Sequence, residues 1–101
     1  MEVKMAQPIY KVFFLNFKEP WYQLSKTEQD SLLQKVSASF EKVGGKHQVM
    51  CDSRWSTESW HGFGLEVYPS IEAVQQHDRD LAALNWFRYV ESLTALGTEM
   101  S

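Results

Sequence analysis

"WHGFGLEVY", residues 60–68, is the stretch on which the fold turns. A strand sends alternate side chains to opposite faces. His61, Phe63, Leu65 and Val67 therefore point one way, and Trp60, Gly62, Gly64, Glu66 and Tyr68 the other. Helices packed on a sheet need an apolar floor, and burying Phe63, Leu65 and Val67 is worth about 1.5–3 kcal/mol per side chain. The glycine-bearing set offers less bulk and would place Glu66 under a helix without a partner, at a cost. The alternation predicts helices on the Phe63 face.

The neighbouring segments extend this strand into a domain. "IYKVFFLNF" (9–17) is β-branched and aromatic, closes at Pro20 and reads as a first strand. "SKTE" (25–28) is a capping box, and behind it Leu32, Leu33, Val36, Phe40 and Val43 recur at helical spacing until "GG" at 44–45. "HQVMCDSRW" (47–55) pairs with the opening stretch around the turn "STES". Ser70 caps a second helix carrying Ile71, Val74, Leu81 and Leu84, "NWFRYV" adds a short turn, and "SLTALG" (92–97) is the last strand. The order βαββαβ suggests a ferredoxin-like α+β sandwich over residues 9–101, after a flexible tail at 1–8.

The first strand is apolar on both sides. Phe13, Leu15 and Phe17 alternate with Tyr10, Val12, Phe14 and Asn16, as in a strand covered on both faces. No segment remains to cover the second face, so Tyr10, Val12, Phe14, Trp60 and Tyr68 would form one exposed patch. A second copy packed sheet to sheet answers this, with Gly62 and Gly64 allowing close approach. The expected assembly is a homodimer.

Composition narrows the function classes. A chain of 101 residues, 44% hydrophobic, holds one core. Its longest apolar run is too short to span a membrane, and its start lacks the apolar core of a signal peptide, so a cytoplasmic protein is expected. Cys51 is alone, which excludes an internal disulfide. The net charge of −3, without a basic run, speaks against nucleic acid. "VFFLNF" (12–17) and "HGFGLEVY" (61–68) do resemble the two strand motifs of RNA-recognition domains, where Phe13 and Phe63 would stack bases on an open sheet. His61 and Leu65 depart from that motif, and the helix placement above contradicts it.

His47, Cys51, His61 and His77 could ligate a metal, but their spacing fits no zinc pattern, and neither metal nor cofactor is expected. His77 is the informative residue. It lies three after Val74 and four before Leu81, on the inner stripe of the second helix, and could serve as an acid or base facing the sheet. A structural histidine bonded to a backbone carbonyl is the competing reading. Lys11 and His61 are expected near strand ends, close to water. An apolar pocket between helices and sheet would be lined by Phe13, Leu15, Phe17, Phe63, Leu65, Val67, Val74 and His77.

"PWYQLSKTEQ" (20–29), "CDSRWS" (51–56) and "NWFRYV" (85–90) together resemble the darcynin-like proteins among the dimeric α+β barrel proteins. The resemblance implies two ferredoxin-like sheets joined face to face, with substrate held between helices and sheet. The wider superfamily includes cofactor-free monooxygenases, polyketide cyclases, muconolactone isomerases and haem-degrading enzymes. A plant polyketide cyclase of this kind would place a dyad tyrosine at His77 and its histidine near Ala83, so that dyad is absent. The expected function is a small-molecule enzyme or ligand-binding protein acting on a planar or apolar metabolite. The rival is a non-catalytic homodimeric interaction module with a filled core.

Overall fold

The structure is a computed structural model that describes residues 7–100, the side chains of 47 and 48 excepted. Of the tail expected at 1–8, residues 1–6 lie outside this range. β1 (Ile9–Phe17) leads through Lys18 into a short helix, α1 (Glu19–Tyr22), with Pro20 in its first turn. Proline fits there because a first-turn N–H has no helical partner to lose. α2 (Lys26–Lys42) opens on the expected capping box. Ser25 Oγ accepts the Glu28 N–H at 3.1 Å, and Glu28 Oε1 accepts the Ser25 N–H at 2.9 Å. It ends before Gly44, whose φ of 86° is the left-handed conformation that glycine adopts cheaply.

β2 (Lys46–Asp52) and β3 (Gly62–Tyr68) are shorter than the runs read from sequence. The loop between them is tied to Ser53. Its Oγ donates to the Trp60 carbonyl at 2.8 Å, while its own carbonyl receives the Ser56 and Thr57 N–H groups at 3.0 Å. α3 (Ile71–Ala83) starts where Ser70 Oγ accepts the Ala73 N–H at 3.2 Å. The left-handed Asn85 (φ 58°) then turns the chain into α4 (Trp86–Tyr89), which runs directly into β4 (Val90–Gly97).

The strands form one antiparallel sheet in the order β2-β3-β1-β4, and the fold is ferredoxin-like α+β. Among the described residues no helix is long and apolar enough to cross a membrane.

Register sets the faces, and here the expectation from alternation is overturned. Tyr68, Glu66, Gly64 and Gly62 of β3 stand opposite Ile9, Lys11, Phe13 and Leu15 of β1. All four β3 residues are buried, whereas Phe63, Leu65 and Val67 are only partly so. Tyr68 packs edge-on against Phe40 of α2 (centroids 5.2 Å), and its ring lies 6.0 Å from that of His77 of α3. The helices therefore cover the glycine and Glu66 face, and Phe63, Leu65 and Val67 lie on the open one.

Two physical facts explain the reversal. Bulk over Gly64 comes from its neighbours, because a Cβ there would collide with Met50 Sδ and meet Phe13 Cζ at 2.8 Å. Glu66 is not unpartnered, because Tyr68 Oη donates to its Oε1 at 3.0 Å and Lys11 Nζ lies 3.9 Å away. Of the expected dimer face, Tyr10, Val12 and Phe14 share the open side with Phe63, and Trp60 packs on Phe14. Gly62, Gly64 and Tyr68 do not belong to it. The same register separates the two rings required by the RNA-recognition resemblance. Phe13 is buried under the helices and Phe63 is on the open face.

Candidate functional site

A cavity of about 230 Å³ lies between the sheet and the helix layer, over β1 and β4. Phe13, Leu15 and Phe17 of β1 form its floor, and Val90, Ser92 and Thr94 of β4 its side. Leu33, Val36 and Phe40 of α2 and Leu81 of α3 roof it, and Trp86 and Phe87 of α4 close one end. The helix spacing that puts Leu33, Val36 and Phe40 on one stripe thus supplies a wall. Leu33 and Phe87, 41% and 44% exposed, mark the mouth.

One end is aromatic. Trp21 is buried and stacks on Phe17 at 4.7 Å, and Trp86 meets Trp21 edge-on at 6.1 Å. His61 extends the stack on Phe17, and its Nδ1 accepts the Phe17 N–H at 3.0 Å. That bond puts the neutral ring's hydrogen on Nε2.

The other end is polar. His77, 4% exposed, lines the cavity from α3. Its Nδ1 lies 2.8 Å from Ser39 Oγ, which donates to Asp80 Oδ2 at 2.9 Å. A hydroxyl has one hydrogen, so with that hydrogen given to Asp80 the His77 Nδ1–H is the donor to Ser39. Bonds from Ser39 and Gln76 hold the Asp80 carboxyl below the usual carboxylate range. Lys11 and Glu66 face the same space. Burial, reinforced by Glu66, pushes the Tyr68 phenol well above its ordinary value and keeps it a hydrogen-bond donor.

Of the residues expected to line a pocket, Phe13, Leu15, Phe17 and His77 come together here. Phe63, Leu65 and Val67 do not, being on the other side of the sheet. Val74 is buried beside the cavity, in a cluster with Phe40 and Tyr68. Lys11, expected near water, is drawn inside, its side chain only 15% exposed. Met50, Glu66, Ser92 and Thr94 were missed. The available signal was the pairing of Lys11 with Glu66 across strands, which the hydrophobic pattern does not carry. The metal candidates are dispersed: Cys51 stands opposite Phe63, His61 lies on Phe17, and His77 of α3 meets Ser39 of α2. The His47 side chain lies outside the described residues.

The sequence matches no family profile and no curated protein. Solved structures do match. A Rhodopseudomonas palustris protein of unknown function superposes with a TM-score of 0.68 at 16% identity, over 95% of this chain and 85% of that one. A hypothetical Arabidopsis thaliana protein gives 0.60 at 13% identity, over 98% and 94%. SnoaB, a cofactor-independent oxygenase from Streptomyces nogalater, gives 0.55 at 15% identity, over 95% and 96%. At these identities the likeness is one of fold.

Proposed function

We propose that the chain binds a small, planar, apolar molecule in this cavity and acts on it, with His77 as the acid or base. The observation that carries this reading is the pairing of apolar walls with ionisable groups at one end, the usual make-up of a small-molecule site. The volume, below the roughly 300–1,000 Å³ of sites for drug-sized ligands, favours one or two rings. The fold shared with a cofactor-independent oxygenase supports chemistry done by side chains alone, as analogy. The darcynin-like resemblance of the three segments points to the same class of fold without adding a reaction.

Trp86 in the wall makes the reading testable by fluorescence. Titration with single-ring aromatics should quench the tryptophan emission to saturation. Affinity should vary between about pH 5 and 8, where histidine changes charge. His77→Phe should keep the fold and remove that dependence, along with any turnover. Absence of quenching by every probe would refute the reading and favour the interaction module.

We also propose a homodimer through the open face. Val12, Val49 and Leu93 are 45%, 48% and 59% exposed there, beside Phe14, Phe63 and Leu65. An apolar sheet face of this kind calls for a cover. Light scattering at micromolar concentration should give twice the chain mass, and a stable monomer would refute it.

A further inference from the structure

Lys11 enters the cavity floor from β1, opposite Glu66 of β3. Its ammonium carries three hydrogen-bond donors. The Glu66 Oε1 atom lies 3.9 Å away, beyond hydrogen-bond distance, and the Phe13 ring centroid lies 5.6 Å away. No hydrogen bond within the described residues uses this ammonium, although its side chain is only 15% exposed. Donors largely withdrawn from water and facing a cavity favour an acceptor atom on whatever enters it.

Charge decides which acceptor. Glu66 already balances Lys11, and its Oε1 also receives the Tyr68 hydroxyl. A carboxylate ligand would bring a second negative charge beside Glu66, between walls formed by Phe13, Phe40 and Leu81. A neutral oxygen with accessible lone pairs meets the ammonium without that repulsion. Building on the small-molecule reading above, we propose that Lys11 anchors a carbonyl oxygen, and that the cavity selects small apolar ketones, aldehydes or esters over acids and plain hydrocarbons.

Three probes of similar size separate these classes: ethylbenzene, acetophenone and benzoate, each titrated against the full chain by tryptophan fluorescence. Acetophenone should bind at least about tenfold more tightly than ethylbenzene, as a hydrogen bond to a charged donor implies, and benzoate should bind less tightly than acetophenone. Lys11→Met should bring acetophenone down to the affinity of ethylbenzene. Because that change removes the positive charge beside Glu66, the double variant Lys11→Met with Glu66→Gln should give the same loss without altering the net charge of the pair. Tightest binding of benzoate, or an acetophenone preference that survives in both variants, overturns the proposal. Ethylbenzene binding with no carbonyl preference overturns Lys11 as anchor and leaves the cavity reading standing. Failure of all three to bind overturns both.

Discussion

The two faces of the sheet are made from the same strands and nearly the same apolar content, yet only one is covered by helices. The covered face carries Phe13, Gly64, Glu66 and Tyr68; the open face carries Val12, Phe14, Phe63 and Leu65. Apolar count along β3 points to the second set. What selects the first is fit: Phe13 and Met50 occupy the room that Gly64 leaves, and Gly45 makes room for Phe40, whose ring would collide with a Cβ there. Close packing, with a paired charge inside it, outweighs the hydrophobicity of any single strand.

This contrast can be broken by substitution, beginning with the largest effect. Tyr68→Ala should destabilise the fold by about 3–5 kcal/mol in denaturant titration, because it empties a fully buried aromatic site. Leu65→Ala, on the half-buried side, should cost clearly less in samples dilute enough to be monomeric. Equal losses would mean that the faces are wrongly distinguished. Gly64→Ala should cost about 1–3 kcal/mol through overpacking against Phe13 and Met50. Gly97→Ala is its control, since nothing lies within 4 Å of the added methyl group.

Alkaline titration sharpens the same contrast. The Tyr68 phenol stays protonated in the folded chain, while the unfolded chain releases that proton near the ordinary value of 10. The folded state then holds more protons, so stability should fall as pH rises above about 10. Tyr68→Phe should flatten that slope in thermal melts. The smallest effect belongs to Asp80, whose lowered value makes its contribution present at neutral pH and lost as pH falls below the usual carboxylate range. Asp80→Asn should reduce the acid slope of the melting temperature and leave its alkaline slope unchanged.

Local signals in the chain were readable because their causes are local. The Ser25–Glu28 box, the Gly44 stop and the Ser70 cap each involve residues within a turn of one another. His77 was reachable in the same way, since its place on α3 follows from helical spacing. The wrong face for β3 came from a contact the linear pattern cannot express. Glu66 is stabilised by Lys11, 55 positions earlier in the numbering, and their meeting depends on the register of β1 with β3. Ser92 and Thr94 escaped notice for a related reason: they reach the cavity only because β4 pairs with β1 beside Phe13 and Leu15.

β4 meets the cavity with a peculiarity of its own. Val90 is its one buried residue; from Glu91 to Gly97 every residue is exposed, Ser92 and Thr94 among them. Exposed positions of this kind tolerate exchange within about 0.5 kcal/mol. Ser92 and Thr94 can therefore drift in sequence without endangering the domain, and each change there re-decorates the cavity wall. The shape and polarity of the cavity can change along this edge while the packing around Gly64 and Tyr68 stays under constraint.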